Sequence, residues 1–190
     1  MLNIFDSYLN DIIHLCENLD KESLSKACEL FLETYKSGKK IFVAGNGGSA
    51  GTVNHFSCDF GKNAVKGETN RPKIISLSSN IEVLTALGND FSYADVFSEQ
   101  LKNLMDDGDT ILLVSASGNS PNVVSAAKYV KSRGGKVIGF TGFSGGKLKE
   151  LSDVCVNIPI DSYEKCEDLH MILTHIIVCY FKSLRLGEQQ

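Results

Sequence analysis

Apolar residues recur at helical spacing along the first 37 positions of the chain. One stripe runs from Leu9 to Cys16 and a second from Leu24 to Tyr35, with charged residues between the apolar positions. This spacing predicts two amphipathic helices, the second ending at Gly38. Their apolar stripes would serve equally well for contacts with another subunit or for packing against the core of the same chain.

After Gly38 the pattern changes to short apolar runs that alternate with helical segments. The predicted strands are Ile41–Ala44, Lys73–Leu77, Thr110–Val114, Val137–Phe140 and Val154–Ile158. The predicted helices are Ser49–Phe60, Ile81–Leu87, Phe97–Leu104, Pro121–Arg133, Lys147–Ser152 and Glu164–Leu186. Strands alternating with helices are typical of a parallel sheet covered on both faces. We therefore predict an α/β fold, a three-layer αβα sandwich with a five-stranded parallel sheet, plus N-terminal helices over 1–37.

Composition and charge limit the classes of protein to which this chain can belong. A length of 190 residues with 43% hydrophobic and 22% charged residues fits one globular domain over 1–190. The formal net charge of -4, without a long run of like charges, predicts no nucleic-acid partner. The six scattered cysteines are expected as small buried residues in a reducing compartment. With neither a secretory signal nor a bilayer-length apolar run in the sequence, we expect a cytoplasmic protein without a membrane partner.

A glycine-rich loop between the first predicted strand and its helix carries the first chemical signal. The segment Gly45–Ala50 reads Gly-Asn-Gly-Gly-Ser-Ala. Glycines let the backbone approach an anion, and free N–H groups at a helix N-terminus favour a phosphate. By itself the same segment could also be a structural turn that binds nothing.

Two further loops follow later strands in the same way. Ser115–Pro121 contains three serines around a glycine, with proline at the start of the next helix, and Thr141–Gly146 is rich in glycine. Loops after parallel strands meet at one edge of the sheet, where one ligand can contact several of them. The three loops together predict a phosphate-binding edge.

These loops, with His55-Phe56, Gly88–Phe91 and His170–His175, match one family in order and spacing over essentially the whole chain. The sequence resembles the phosphoheptose isomerases of the sugar isomerase (SIS) family. The resemblance implies conversion of sedoheptulose 7-phosphate to a D-glycero-D-manno-heptose 7-phosphate for lipopolysaccharide or capsule heptose. It also implies a zinc ion and a homotetramer with active sites at subunit interfaces.

The family's functional positions fall on named residues of this chain. For substrate binding the resemblance implies Asn46, Gly47, Gly48, Ser49, Asn80, Ser115, Ala116, Ser117, Ser120 and Glu167. For the metal it implies His55, Asp59, Glu167 and His175, with Asp59 as proton-abstracting base and His175 as the second catalytic group. Several of these positions depart from the family pattern, which has threonine at Ala116, glutamate at Asp59, glutamine at Glu167, aspartate at Asn80 and arginine at Asn63.

Helical spacing allows these metal ligands to work together. His55 and Asp59 are four residues apart, and Glu167 and His175 are eight apart, so each pair shares a helix face. Two imidazoles and two carboxylates suit zinc. Taken singly, each histidine could instead be a buried core residue, and Glu167 could be one of several acids favoured in the first turn of a helix. His170 could contact substrate or be structural.

The departures from the family lie at the reacting end of the sugar, so phosphate binding is the firmer expectation. Two alternatives follow: an isomerase of a different ketose phosphate, or a non-catalytic regulatory SIS protein that binds a phosphosugar. Regulatory relatives typically lose a catalytic histidine or the carboxylate outright. This chain retains both histidines and a carboxylate at position 59.

Overall fold

The computed structural model describes residues 2–64 and 71–187, in which helices and strands alternate along the chain. The helices are α1 (Leu2–Glu17), α2 (Lys21–Lys36), α3 (Gly47–Asn63), α4 (Ile81–Asp90), α5 (Val96–Leu104), α6 (Pro121–Ser132), α7 (Gly146–Leu151) and α8 (Tyr163–Gly187). The strands are β1 (Lys40–Gly45), β2 (Lys73–Ser76), β3 (Thr110–Ser115), β4 (Lys136–Gly142) and β5 (Val154–Ile158). A single 3-10 turn, Tyr93–Asp95, precedes α5.

The five strands form one parallel sheet in the order β2-β1-β3-β4-β5. Strand β1 lies inside the sheet, where Ile41 is in register with Ile74 of β2 and with Thr110 of β3. The chain forms β1 first and then the neighbouring edge strand β2. It then crosses to the other side of β1, where it forms β3, β4 and β5 in turn. This order places the ends of β1 and β3 side by side, where ligands bind in such sheets.

Side chains of β1 alternate between two separate apolar clusters. Ile41 and Val43 face the cluster under α2, α3 and α8, whereas Phe42 and Ala44 face the cluster under α5 and α6. Residues along a strand point to opposite faces in turn, and a sheet covered on both sides therefore reads as a continuous apolar run. The three-layer αβα prediction is confirmed.

The two N-terminal helices differ in what they contact. Helix α2 packs into the core with Phe31, which is fully buried and lies 5.7 Å from the ring centroid of Phe56. Helix α1 packs on α8, where the Tyr8 hydroxyl donates to Asp168 Oδ2 at 2.6 Å. The outer face of α1 exposes four large apolar residues, Ile4, Phe5, Leu9 and Ile13.

Two details differ from the sequence prediction. Helix α3 begins at Gly47, two residues before its predicted start, because the glycine pair itself forms the first turn. The expectation of buried cysteines is wrong for Cys16, Cys58 and Cys179, which are exposed, although all six cysteines are free. Within 2–64 and 71–187, no helix combines the length and the apolar character that crossing a membrane would need.

Candidate active site

The loop after β1 leads directly into the N-terminus of α3. Asn46 is extended and stands at the N-cap position, but its side chain accepts no capping hydrogen bond. Gly47 has a φ of +53°, which glycine adopts without strain. The first N–H groups of a helix have no partner within the helix. The N-terminus of α3 is therefore free to bind an anion through its backbone.

The loop after β3 has the same form, and the loop after β4 packs against it. Ser120 precedes α6 without a side-chain cap, and Gly118 has a φ of +63°. A Cβ on Gly118 would lie 1.9 Å from the carbonyl oxygen of Gly145, so the third predicted loop packs directly against the second. Since Leu148 also donates its N–H to the Gly118 carbonyl at 2.9 Å, the third loop supports the second.

The first two loops enclose a cavity of about 150 Å³ at the carboxyl ends of β1 and β3. The residues lining this phosphate pocket are Asn46, Ser49, Val114, Ser115, Ala116, Ser117, Ser120, Tyr163 and Glu167. The hydroxyl oxygens of Ser115 and Ser120 are 3.4 Å apart, close enough to contact one ligand oxygen together. Hydroxyls and helix N-termini favour a phosphate, and none of these lining residues is basic.

A pair of asparagines fixes the first loop to the second. Asn46 Nδ2 donates to Asn122 Oδ1, and Asn122 Nδ2 donates back to Asn46 Oδ1, both at 2.9 Å. The Tyr93 hydroxyl donates to the same Asn46 oxygen at 3.0 Å. The sequence prediction missed Asn122, Tyr93 and the lining residue Tyr163. Asn122 lies 76 positions from Asn46 and Tyr93 lies 47 positions from it, so no local pattern indicates these contacts.

Glu167 on α8 extends into the phosphate pocket. A Cβ placed on Gly48 would lie 2.2 Å from its Oε2 and 2.5 Å from its Cδ, so only glycine at position 48 leaves room for the carboxylate. Burial raises the pKa of the Glu167 carboxyl, and the nearby carboxylates of Glu164 and Asp168 add to the increase. In this structure Glu167 therefore lines the phosphate pocket.

A second group of polar side chains lies further along the same two helices. His55 and Asp59 come from α3 and His175 from α8. The Nε2 atoms of the two histidines are 2.9 Å apart, and Asp59 Oδ2 is 3.3 Å from His55 Nε2 and 4.0 Å from His175 Nε2. Their side chains are 46% and 50% exposed, which overturns the alternative that they are buried core histidines.

The donor set of this cluster fits a zinc ion. Zinc is commonly bound by histidine nitrogens and carboxylate oxygens in tetrahedral geometry, where two ligand atoms lie about 3.3 Å apart. The three separations of 2.9, 3.3 and 4.0 Å bracket that value. Glu167 is not part of this group, whose ligand atoms lie within 4.8 Å of one another, so its assignment as a ligand stays a prediction.

Other predicted residues lie elsewhere. Asn80 caps α4, where its Oδ1 accepts from the Val83 N–H at 3.0 Å, and it does not line the phosphate pocket. Asn63 lies one turn beyond Asp59 and donates to its Oδ1 at 3.5 Å. His170 is fully buried with its Nε2 donating to the Thr141 carbonyl at 3.1 Å, and its Nδ1 has no partner. The structure places His170 in the core behind the third loop.

Comparisons with known proteins bear on the family and the fold of this chain. A family model described as SIS domain matches residues 5–142. The phosphoheptose isomerase of Aliarcobacter butzleri (strain RM4018) is 38% identical over 157 residues, which cover 83% of this chain and 82% of that protein. The solved structure of phosphoheptose isomerase from Neisseria gonorrhoeae has a TM-score of 0.86 at 30% identity, covering 96% of each chain. A phosphoheptose isomerase from Francisella tularensis has a TM-score of 0.83 at 26% identity, covering 95% of each chain.

The paired histidines and the serine-bearing loops that the resemblance named are the residues that form the two polar groups of this chain. The chain belongs to the SIS-domain family, among its phosphoheptose isomerases.

Proposed function

We propose that this protein interconverts sedoheptulose 7-phosphate and a D-glycero-D-manno-heptose 7-phosphate. The observation that carries the proposal is the placement of two different polar groups along one pair of helices. The phosphate pocket lies where Gly48 of α3 meets Glu167 of α8, and the cluster lies where His55 of α3 meets His175 of α8. One end of the pair suits a phosphate and the other suits proton transfer at a carbonyl.

The separation of the two groups supports a long sugar. Gly48 and His55 are seven residues apart on α3, which corresponds to about 10 Å along the helix axis. With single bonds of about 1.5 Å, an extended seven-carbon chain also spans about 10 Å from its carbonyl end to its phosphorus. A three-carbon phosphate would not reach from the pocket to the cluster.

Aldose–ketose interconversion moves a proton between two adjacent carbons through an enediol. Asp59 is the base in this proposal, since its Oδ2 lies beside both imidazoles, and His175 on the facing helix exchanges the proton at the oxygen. The shorter side chain of aspartate, compared with the family's glutamate, shifts the carboxylate by about an ångström. Such a shift lowers turnover by about a hundredfold unless the substrate sits correspondingly closer.

We further propose that His55, Asp59 and His175 hold zinc, with Glu167 as a fourth ligand after leaving the phosphate pocket. A bound zinc ion would supply charge stabilisation to the substrate oxygens. The fit of the three ligand separations to tetrahedral zinc supports this assignment.

The cellular setting is also part of the proposal. Residues 1–190 act as a single domain in a cytoplasmic homotetramer whose active sites lie at subunit interfaces, and its product supplies heptose for lipopolysaccharide or capsule. The exposed apolar face of α1 supports an interface there, because large apolar groups are more stable when another surface covers them. Helix α2 is already buried against its own sheet and is not needed for that interface.

Measuring the conversion of sedoheptulose 7-phosphate by the purified protein, with and without zinc, tests the activity. We expect turnover that needs zinc, that His175→Ala abolishes, and that Ser117→Ala reduces mainly through weaker binding. Absence of turnover both with and without zinc would contradict the proposal. A thermal-shift panel of five- to seven-carbon sugar phosphates would then identify another substrate, since a ligand at 100 times its Kd adds about 2.7 kcal/mol of stability.

A further inference from the structure

A second cavity, of about 400 Å³, lies at the amino ends of β1 and β2, on the opposite edge of the sheet from the phosphate pocket. Four cationic side chains line it, those of Lys36, Lys39, Arg71 and Lys73. Among the described residues that line this basic pocket, none is acidic. Because the whole chain has a formal net charge of -4, the concentration of positive charge is local to this cavity.

The lysines of the basic pocket are not neutralised by carboxylates. Lys39 Nζ donates to the Asp107 backbone carbonyl at 2.8 Å, and Lys73 Nζ donates to the Gly38 backbone carbonyl at 3.0 Å. Lys36, in the last turn of α2, forms no ion pair with any residue of 2–64 or 71–187, and neither do the other two lysines. Three positive charges therefore remain available to an anion.

The negative groups near the basic pocket already have partners. The carboxylate of Asp106 pairs with Lys40 at 2.8 Å and that of Asp107 pairs with Arg133 at 2.7 Å, and none of these four residues lines the pocket. Carbonyls in the last turn of α2, at the negative end of the helix dipole, accept hydrogen bonds from the backbone N–H groups of residues 37–39. These pairings reduce the repulsion that an anion in the pocket would meet.

The basic pocket also has an apolar side. Tyr35 and Pro72 line it beside the cations, and the Tyr35 ring packs edge-on against Phe181 with ring centroids 6.2 Å apart. Lysine and arginine bind phosphate groups, and an aromatic ring can stack on a nucleobase. The volume of about 400 Å³ is within the range of small-molecule pockets, about 300–1,000 Å³. The cavity therefore suits a ligand that joins several phosphates to a planar ring.

We propose that the basic pocket binds an anion that carries a diphosphate group, and that a nucleoside diphosphate is the ligand class that uses both its cations and its aromatic side. This inference goes beyond the proposed function. The basic pocket lies at the edge of the sheet away from the phosphate pocket, and binding there requires no isomerase activity.

Isothermal titration of ADP, adenosine and inorganic pyrophosphate into the full-length protein, without magnesium, tests the proposal. We expect ADP to bind with a Kd below about 1 mM. Lys36→Gln combined with Lys39→Gln should weaken ADP binding at least about tenfold, since one charge at about 4 Å is worth about fivefold even in water. If the double variant does not fold, Lys36→Gln alone should weaken binding about fivefold.

Lys21→Gln combined with Lys128→Gln is the matched control. Both lysines are exposed and lie outside the basic pocket, and the pair of substitutions changes the net charge by the same amount. We expect ADP affinity to change less than about twofold in this variant, because distant exposed charges are screened by salt.

The two other probes separate the phosphates from the ring. ADP should bind at least about fivefold more tightly than pyrophosphate if its base stacks on Tyr35, and adenosine should bind more weakly than ADP because it has no charge for the lysines. Equal affinities for ADP and pyrophosphate would retain the diphosphate site and overturn the role of the ring. Adenosine that binds as tightly as ADP would overturn the role of the cations.

Three further results would overturn the inference as a whole. These are no ADP binding up to about 1 mM, unchanged ADP affinity in the Lys36 and Lys39 double variant, or an equal loss in the control variant. Conversion of sedoheptulose 7-phosphate is measured separately. Native protein that binds ADP through these lysines but does not convert the sugar would contradict the proposed function and leave the basic pocket standing.

Discussion

His170 should make the protein less stable as the solution becomes acidic. The imidazole is fully buried, donates from Nε2 to the Thr141 carbonyl and leaves Nδ1 without a partner. Burial lowers the pKa of His170 from 6.5 to about 4, although the hydrogen bond to Thr141 acts in the opposite direction. The native state therefore keeps this ring neutral in a pH range where the unfolded chain protonates it.

Proton linkage gives the sign and the size of this change in stability with pH. Below pH 6.5 the unfolded state binds a proton that the native state does not, so the free energy of unfolding falls by about 1.4 kcal/mol per pH unit. The loss reaches about 2 kcal/mol at pH 5 and levels off near pH 4 at about 3 kcal/mol. Above pH 6.5 the contribution is constant.

Urea denaturation between pH 7 and pH 4.5 measures this loss. We expect His170→Gln, which can still donate to the Thr141 carbonyl, to lose about 2 kcal/mol less than the native chain between pH 7 and pH 5. His14→Gln is the control, since it makes the same substitution at an exposed position on the surface. Identical pH profiles for the native chain and His170→Gln would refute the reasoning.

Two further substitutions test how the loops are held. Gly118→Ala should destabilise the protein by at least about 2 kcal/mol more than Gly134→Ala, and should weaken inorganic phosphate binding. Both glycines have a φ near +65°, so an added side chain is strained at either position. A Cβ added at Gly134 would meet nothing within 4 Å, whereas a Cβ added at Gly118 would lie 1.9 Å from a backbone oxygen. Equal urea midpoints for the two variants would contradict this reasoning. Asn122→Ala should cost about 1–3 kcal/mol and weaken phosphate binding, because it leaves Asn46 Nδ2 without its acceptor, and unchanged affinity in titration would argue against a positioning role for Asn122.

The sheet could be predicted from the sequence because its strands are buried on both faces. Runs such as Ile41–Ala44 are apolar at every position, and glycine-rich turns separate them from helices, so strand type and order along the chain follow from local signals. Helix α3 begins two residues before its predicted start, because glycines are poor helix formers and give no local signal of a first turn, whereas the need for glycine at position 48 comes from Glu167 on a distant helix.

The candidate site was only partly predictable. His55 and Asp59 share a helix face by spacing alone, but their contact with His175 depends on how α3 packs on α8. The same packing determines that Glu167 extends into the pocket, which no pattern along α8 predicts. Asn122 has no local signature, since its partner Asn46 follows the neighbouring strand β1, 76 positions earlier in the chain. Contacts between distant segments are set by the fold and not by neighbouring residues.

In the proposed reaction one ligand spans both the phosphate pocket and the histidine cluster. Crystals grown with zinc and sedoheptulose 7-phosphate, examined by anomalous diffraction at the zinc edge, test this directly. We predict an anomalous peak between His55, Asp59 and His175, and phosphate density beside Ser117 and Ser120 of the same chain. A sugar phosphate bound away from the serine loops, or zinc bound away from the two histidines, would contradict it.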